Sequence, residues 1–314
     1  MQSPVFEQQP PVKCKSLKRE ILLRNSIFYV VMAGIPILQV IIFYIYVNFN
    51  SILLAFKTYD EVTMSYKWLT SGEVFLNFKE FLNGLTTLPF LKAAFGNTFM
   101  MFGLVLLVSY SGGILLSNFI YKKRLFGQFF RVILFTPSMI SGIIMVTLFQ
   151  FFADAAVPAL TNNATIGLLA DASSAFPSII CYTLWLGLGS GMLVYVGTMS
   201  SINDSMVEAA QLDGCTPMQE FFKITLPTIY PTILVFFVAK MGSIFGEQIN
   251  LFTFYGADAP YDYYTYGYWL YVRTLAGEAN YPQLAAAGLC FSLVLAPLTL
   301  FVRWLLNKFG PSAD

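Results

Sequence analysis

The sequence predicts an all-α polytopic membrane protein with six transmembrane helices. Of its 314 residues, 57% are hydrophobic and 11% are charged, whereas about a quarter of the residues in a typical soluble domain are charged. Apolar runs that are long enough to cross about 30 Å of hydrocarbon as helices recur along the chain. The predicted spans are residues 27–47, 94–121, 131–152, 177–199, 229–255 and 284–306.

Basic residues predict the orientation of these spans. They are concentrated in the polar tail 1–26 and between the second and third spans, whereas residues 153–176 contain no Lys or Arg. Because cytoplasmic loops carry the excess of Lys and Arg, we expect both termini, including the tail 309–314, and the segment 200–228 in the cytoplasm. Residues 27–47 are too long for a signal-peptide core, so we expect an uncleaved first span. The basic residues are Lys13, Lys15, Lys18, Arg19 and Arg24 in the tail, and Lys122, Lys123, Arg124 and Arg131 between the spans.

Residues 48–93 form a segment of mixed charge that we expect on the external side, between the first and second spans. Its apolar positions recur with helical spacing, which favours an interfacial helix. A packed loop fits the same composition equally well. The apolar positions are Phe75, Phe78, Phe81, Leu82 and Leu85.

The polar segment 200–228 separates the fourth and fifth spans. Ser205 and Glu208 match a capping box at the start of a short helix, because a serine is followed three residues later by a glutamate. Gly214 can take the left-handed conformation that commonly ends a helix. The pattern predicts a first short helix that stops at a glycine elbow.

A second helix start follows the glycine. Thr216 and Gln219 match another capping box, and Pro217 lies at the first helical position, where its missing N–H costs little. Ala209 and Ala210 leave one face of the first helix bare, which allows a partner's backbone to come close. The sequence therefore predicts two short helices joined at a glycine elbow, a helix–elbow–helix segment suited to docking on another protein.

This segment resembles the coupling loop, or EAA motif, of ATP-binding-cassette importer permeases. The fuller stretch EAAQLDGCTPMQEFFKITLPTIYP, which includes Asp213, is similar to the carbohydrate-uptake branch, with its maltose-type and multiple-sugar permeases. The resemblance implies that the loop inserts into a cleft of a separate ATPase subunit and carries its motion to the membrane helices. The matching residues are Glu208, Ala209, Ala210, Gly214, Ile224, Leu226 and Pro227.

The resemblance extends over residues 27–308. It includes the Asn97-Thr98 pair and the stretches SILLAFKTYD, LNFKEFL and FFRVILFTPSMISGIIMVTLFQ. Many members of the family carry Thr-x-Gly-Gly-Pro after the fifth span, whereas this chain reads LFTFYGADAPYDYYTYGYWLYV. Together with GSIFGEQI, this departure is similar to a subgroup of multiple-sugar permeases associated with complex or acidic oligosaccharides.

The chain lacks the residues that would make it an enzyme. It has no histidine, no phosphate-binding loop and no nucleophile beside a base. The four cysteines have no metal-site or disulfide spacing, and a net charge of +1 gives no field that would attract nucleic acid. We expect the chain to bind no cofactor, and the resemblance implies that ATP and Mg²⁺ bind to the partner ATPase. The cysteines are Cys14, Cys181, Cys215 and Cys290.

Polar residues inside the predicted spans are candidates for the substrate pathway, because ionisable groups in hydrocarbon need a partner or a water-filled path. Four of them in the fifth span have the three- and four-residue spacing of one helical face. They could bind sugar hydroxyls or, alternatively, form a structural polar seam, with a Lys240–Glu247 contact bridged by another helix. The four are Lys240, Ser243, Glu247 and Asn250, and Trp185, Tyr195 and Gln150 are further candidates.

Aromatic residues are crowded just after the fifth span. Their rings suit sugar C–H faces, although Tyr and Trp also collect at membrane interfaces without any ligand, and we favour this second interpretation. They are Tyr261, Tyr263, Tyr264, Tyr266, Tyr268, Trp269 and Tyr271.

The predicted function is that of a membrane-spanning permease subunit of an ATP-driven importer for an oligosaccharide, in the bacterial cell membrane. The resemblance implies alternating access with ATP-binding-cassette ATPase subunits, a second permease subunit and an extracellular solute-binding protein as partners, in contact with membrane lipid. Import of another solute, such as a peptide or amino acid, is the nearer alternative. A secondary carrier would not need the docking elbow, and a membrane-embedded enzyme or scaffold has no catalytic groups to support it.

Overall fold

The computed structural model describes residues 29–30, 32–70, 72–123, 125–161 and 167–311. The predicted cytoplasmic tail 1–26 and residues 312–314 lie outside this range. Residues up to Leu54 and those from Ala55 onward form two separate compact units. The first unit contributes one membrane span, and all features of the candidate site belong to the second.

Six helices in the described residues are long and apolar enough to cross a membrane, which confirms the predicted number of spans. Several of them are longer than predicted, because polar residues continue the helices beyond the apolar runs. The first helix reaches Leu54 and the second begins at Pro89, so their connection is shorter than the expected 48–93. Spans 1 to 6 are Met32–Leu54, Pro89–Tyr121, Gly142–Ala159, Ala172–Met199, Pro217–Tyr255 and Glu278–Phe309.

Short π-helical or 3₁₀ turns interrupt the α-helices at several points. The α-helical segments are residues 32–39, Val47–Leu54, Leu76–Thr87, Pro89–Leu104, Ser111–Tyr121, Gly127–Met139, Gly142–Phe151, Val157–Thr161, Ala172–Gly189, Met192–Met199, Asp204–Leu212, Pro217–Glu220, Leu226–Ser243, Leu251–Tyr255, Tyr266–Leu275 and Tyr281–Phe309. The π-helical turns are Val40–Tyr46, Val105–Tyr110, Phe152–Ala156 and Phe221–Thr225, and the 3₁₀ turns are Ile244–Gly246, Tyr261–Tyr263 and Glu278–Asn280.

The predicted third span, 131–152, is wrong as a continuous helix. Helix Gly127–Met139 contains Pro137 and ends at Ile140, whose backbone is extended, before a new helix begins at Gly142. Proline cannot donate a helical hydrogen bond and its ring crowds the preceding turn. An apolar run alone does not reveal such a break.

Spans 2 and 4 approach each other closely through small residues. A Cβ added to Gly187 would collide with the Ser109 side chain, and one added to Gly113 would press against the Leu188 carbonyl at 3.0 Å. The Ser109 hydroxyl donates a hydrogen bond of 2.9 Å to the Leu184 carbonyl across this contact. Small residues allow backbones to pack closely in membranes, so these positions fix the spacing of the two spans.

The connection between spans 1 and 2 contains a small antiparallel hairpin, strands β1 (Lys57–Asp60) and β2 (Ser65–Trp68), in which Tyr59 faces Tyr66. The hairpin was not predicted, because two four-residue strands carry little periodic signal. Helix Leu76–Thr87 follows, which confirms the helical alternative for this segment.

An aromatic core joins this connecting helix to the last two spans. Phe81 is buried and its ring stacks on Trp269 with centroids 6.2 Å apart, while Phe245 and Phe291 lie 4.2 Å apart. The fully buried Tyr266 packs on Phe291 at 4.6 Å. Aromatic rings bury large areas in defined geometries, so this cluster holds helix Tyr266–Leu275 in place over span 5.

Candidate docking segment and translocation wall

The first helix of the segment 200–228 covers Asp204–Leu212, and its cap is Asn203, not Ser205. The Asn203 side-chain oxygen accepts hydrogen bonds from the backbone N–H of Ser205 at 3.1 Å and from the Ser205 hydroxyl at 2.9 Å. The predicted box of Ser205 with Glu208 is therefore wrong. Asparagine is as strong a cap as serine, and the extended backbone at Asn203 gives it the position.

The elbow itself agrees with the sequence prediction. Gly214 has a φ of +79°, the left-handed conformation that favours glycine. The Thr216 hydroxyl accepts from the Gln219 N–H at 3.3 Å, and the Gln219 side chain accepts from the Thr216 N–H at 2.9 Å, with Pro217 in the first turn. This second capping box is confirmed, because all its partners lie within four residues of one another.

The second helix of the segment does not end before the membrane. It begins at Pro217, continues through the π-helical turn Phe221–Thr225 and runs on as Leu226–Ser243. Span 5 thus starts at the elbow, and the prediction of a separate second short helix is wrong. Any displacement of the elbow therefore acts directly on the end of span 5.

The segment exposes large apolar side chains. The exposed fractions are 90% for Leu212, 65% for Met218 and 53% for Phe222. We call these three residues, together with Glu208 and Ala209, the docking surface; Glu208 and Ala209 are exposed as well. Apolar groups on a polar segment outside the apolar runs indicate a protein interface.

The eight predicted coupling residues separate into two groups in the structure. Of the five coupling residues in the first helix and the elbow, all but Ala210 are exposed. The other three lie in the helix that leads into span 5 and are half-buried. The exposed group is therefore available to a partner, and the second group connects the elbow to the membrane. Glu208, Ala209, Asp213 and Gly214 are exposed, and Ala210, Ile224, Leu226 and Pro227 are half-buried.

Sequence reasoning missed an ion pair at this segment. The Lys122 ammonium at the end of span 2 contacts the Glu220 carboxylate, and Glu220 is only 3% exposed. A single carboxylate within the largely apolar stretch MQEFFKITLP was the available signal, since a buried charge requires a partner. The partner lies 98 residues away in the chain, so the sequence did not identify it.

Span 5 is interrupted near the predicted pathway residues. Its main helix ends at Ser243, a 3₁₀ turn extends to Gly246, and a short helix resumes at Leu251. Ile249 and Asn250 have φ values of +47° and +58°. Glu247 and Asn250 therefore do not share a helical face with Lys240 and Ser243, and the prediction of one face is wrong.

The following segment stabilises this break. The Thr265 hydroxyl donates to the Glu247 carbonyl at 2.9 Å and also caps helix Tyr266–Leu275 by accepting from the Tyr268 N–H. Gly267 lies so close that an added Cβ would collide with the backbone of Gly246 and Glu247. Tertiary contacts thus satisfy the backbone groups that the interrupted helix leaves free.

Lys240 and Glu247 pair directly across the break, with Nζ and Oε1 2.5 Å apart. Among the described residues no third helix bridges them, in contrast to the alternative that the sequence left open. Lys240 lies in the last turn of its helix, where the helix dipole favours a cation. Both side chains keep some solvent access, with 19% of the Lys240 side chain and 43% of the Glu247 side chain exposed.

A small pocket surrounds this pair. Its volume is about 30 Å³, far below the roughly 300–1,000 Å³ of a ligand pocket. The described residues therefore enclose no cavity of sugar size around this pair. The lining residues are Thr98, Met101, Phe102, Val105, Thr183, Lys240, Ile244, Glu247, Ile249 and Thr265.

The other predicted pathway residues lie outside this pocket. The Ser243 hydroxyl donates to the Lys240 carbonyl at 3.1 Å, and Gln150 donates to the Phe254 carbonyl at 3.2 Å. Tyr195 is buried against Phe236.

Trp185 lines a separate apolar groove with Met145, Phe149 and Tyr182. Asn250 occupies the N-cap of the short helix Leu251–Tyr255.

Most of the crowded aromatic residues after span 5 are buried. The Tyr268 hydroxyl donates to the Gly256 carbonyl at 2.8 Å, and the Tyr263 hydroxyl donates to the Ala172 carbonyl at 2.9 Å. These residues therefore tie the segment to itself and to span 4. Only Tyr261 and Tyr271 of the seven are exposed, so the expected role as an interfacial belt does not describe the group.

Several curated proteins are similar to this chain. Protein LplB of Bacillus subtilis is 26% identical over 92% of this chain and 91% of its own length. The polygalacturonan/rhamnogalacturonan transport system permease protein YteP of Bacillus subtilis is 26% identical over 63% and 62%. The arabinooligosaccharides transport system permease protein AraP of Halalkalibacterium halodurans is 28% identical over 67% and 68%.

The fold matches a solved transporter. The crystal structure of a bacterial ABC transporter involved in the import of the acidic polysaccharide alginate contains a chain that aligns with a TM-score of 0.72 and 23% identity, over 94% of this chain and 99% of that one. A second structure, in complex with an alginate pentasaccharide-bound periplasmic protein, aligns with a TM-score of 0.71 and 24% identity, over 96% and 99%.

The family comparison covers the part of the chain that carries the candidate site. The model of the binding-protein-dependent transport system inner membrane component matches residues 109–313, which include the docking surface, the Lys122–Glu220 pair and the break in span 5. Because the matched residues make up more than half of the chain, which also has six helices long and apolar enough to cross a membrane, this chain belongs to the family of binding-protein-dependent transport system inner membrane components.

Proposed function

We propose that this chain is a permease subunit that imports oligosaccharides by alternating access, driven by a separate ATPase. The observation that carries this proposal is the docking surface, in which Leu212, Met218 and Phe222 are exposed beside Gly214. Apolar side chains that are exposed on a capped, rigid segment require a protein partner. A secondary carrier has no use for such a surface.

The partner in this proposal is an ATP-binding-cassette ATPase, which holds ATP and Mg²⁺. Its cleft covers the docking surface, and its movement is passed to span 5 because the helix that begins at Pro217 is continuous with the span. The Lys122–Glu220 pair passes the same movement to span 2. The two contacts let one docking event move two spans.

A second permease subunit completes the pathway in this proposal. The pocket at Lys240 and Glu247 is too small for a sugar, so the cavity that holds substrate requires surface from another subunit. A solute-binding protein delivers the substrate, which is supported by the family description and by the periplasmic protein in the second alginate transporter structure.

The proposed orientation has both termini and the docking surface in the cytoplasm of a bacterial cell. Lys123, Arg131 and the paired Lys122 lie near the end of span 2 and the start of the following helix. The Lys122–Glu220 contact brings this basic region to the same membrane face as the docking surface. The positive-inside rule therefore supports a cytoplasmic docking surface.

The substrate class follows from the relatives. AraP is named for arabinooligosaccharides, YteP for polygalacturonan and rhamnogalacturonan, and the aligned structures for alginate. These substrates are all polymers or oligomers of sugars, which favours an oligosaccharide over a peptide or an amino acid.

Reconstitution tests this proposal. The chain is purified in gentle detergent with its ATPase and second permease, placed in liposomes and supplied with the binding protein. We expect uptake of a labelled oligosaccharide that requires ATP and all the partners. Uptake by this chain alone, without ATP, would support a secondary carrier, and uptake of labelled peptides in place of oligosaccharides would overturn the substrate class.

A further inference from the structure

A second pocket lies at the start of span 2, the end opposite the Lys122–Glu220 contact, beside helix Tyr266–Leu275. Its volume is about 180 Å³, smaller than the roughly 300–1,000 Å³ of pockets that enclose a drug-sized ligand. It shares no lining residue with the pocket of Lys240 and Glu247. Its lining residues are Phe90, Tyr261, Tyr264, Trp269, Val272 and Arg273.

Three rings form one wall of this pocket. The ring centroid of Tyr261 lies 5.5 Å from that of Phe90 and 5.2 Å from that of Tyr264. The Asn97 amide donates to the carbonyls of Asp262 at 2.7 Å and Tyr264 at 2.9 Å. Because these hydrogen bonds fix the backbone beside both tyrosines, the rings are held in place before any ligand arrives.

A buried tryptophan also lines the pocket. Trp269 is 6% exposed, and its indole N–H has no acceptor in the part of the chain that the structure describes. Its ring is fixed by stacking on Phe81. The indole N–H is closed off from solvent, so Trp269 contributes its fixed ring, and not a donor, to the pocket wall.

Arg273 supplies a positive charge to the same pocket. Its side chain is exposed, and it forms no ion pair with any residue that the structure describes. Burial raises the pKa of the Tyr264 hydroxyl. The Arg273 guanidinium lowers this pKa, and its effect is larger than the opposite effect of the Asp258 carboxylate. Arg273 thus lies beside the ring wall, since it lines the same pocket as Tyr264.

We propose that this pocket binds one anionic sugar unit, such as a uronate, of the incoming oligosaccharide. The sugar's C–H face packs on the rings of Tyr261 and Phe90, and its carboxylate accepts hydrogen bonds from the Arg273 guanidinium, whose planar fork suits a carboxylate. The proposal rests on the proposed function, because it names the substrate class that the importer selects. The relatives alone leave this class open, since their names include both neutral and acidic saccharides.

Saccharide binding to the permease–ATPase complex in lipid nanodiscs tests the proposal, with the binding protein left out so that it contributes no signal. Saturation-transfer NMR compares trigalacturonate with uncharged maltotriose. We expect trigalacturonate to bind and maltotriose to bind at least about tenfold more weakly, because a charge-assisted hydrogen bond is lost. Equal binding of the two sugars would overturn the proposal.

The Arg273→Gln variant should weaken trigalacturonate binding about tenfold and leave maltotriose unchanged, while Arg273→Lys should fall between the two. Lys92→Gln is the matched control, since Lys92 is an exposed cation at the start of span 2 that does not line the pocket. If Arg273→Gln fails to assemble, Tyr261→Ala replaces it, because Tyr261 is 64% exposed. Unchanged trigalacturonate binding in an assembled pocket variant would contradict the proposal.

The importer proposal and the pocket proposal fail in different ways. ATP-dependent uptake of neutral oligosaccharide with no effect of Arg273→Gln on trigalacturonate binding would remove the pocket proposal and leave the importer. Absence of any ATP-dependent oligosaccharide uptake by the complete wild-type complex would remove the importer proposal and the pocket proposal with it.

Discussion

Lys122 and Glu220 form an ion pair between the end of span 2 and the first turns of the helix that becomes span 5. Glu220 is almost completely buried, while about a quarter of the Lys122 side chain remains exposed. A carboxylate in such a position is costly without its cation. The pair therefore fixes where the elbow lies relative to span 2.

The first prediction concerns this pair. Lys122→Met should destabilise the chain by roughly 3 kcal/mol, because it leaves the Glu220 carboxylate buried and unpaired. Glu220→Gln should cost less, since its amide can still accept a hydrogen bond from Lys122. Thermal unfolding in detergent measures both effects, and the double variant Lys122→Glu with Glu220→Lys should recover part of the loss. Equal stability of Lys122→Met and the wild type would contradict this prediction.

The second prediction concerns the elbow. Gly214→Val forces a β-branched residue to adopt a φ near +79°, which costs roughly 1–2 kcal/mol, although an added Cβ would meet no atom within 4 Å among the described residues. We expect the spans to insert normally while uptake of labelled oligosaccharide falls steeply and the ATPase is lost from washed membranes. Gly197→Ala is the control, because Gly197 also has open space around it but lies in an ordinary helix.

The third prediction concerns the docking surface. Leu212→Asp should leave the fold intact, because Leu212 is 90% exposed, but recovery of the ATPase should fall by about tenfold or more, as for a central interface residue. Glu208→Lys should reduce recovery as well, by reversing an exposed charge. Leu125→Asp provides the matched control, since Leu125 is an exposed leucine in the connection between spans 2 and 3. Similar losses for Leu212→Asp and Leu125→Asp would mean that the effect is not specific to the docking surface.

The fourth prediction concerns the wall of the pathway. Lys240→Met and Glu247→Gln each break the 2.5 Å pair at the break in span 5. If this pair faces the substrate, either change should alter substrate-stimulated ATP hydrolysis by about tenfold while the complex can still be purified. If it is only a structural seam, both variants should lose stability, and the protein that survives should transport normally. Turnover per assembled complex separates the two results.

The local signals of the sequence determined a large part of this protein. Six apolar runs determined the number of spans, because hydrocarbon admits only helices whose backbone groups are paired internally. Gly214 and the Thr216–Gln219 box determined the elbow, since every partner is a near neighbour in the chain. At the first helix, Asn203 and Ser205 could each act as the cap, and the backbone conformation at Asn203 decided between them.

Only the tertiary structure decided the features that join distant residues. The break after Gly246 depends on the next segment: the Thr265 hydroxyl donates to the Glu247 carbonyl that the helix leaves free, and Gly267 allows the two backbones to approach closely. Glu220 finds Lys122 across 98 residues, and the rings around Tyr261 meet Phe90 and Arg273 only after folding. Helical periodicity describes one element at a time, whereas these sites form where several elements meet, so their chemistry is set by packing.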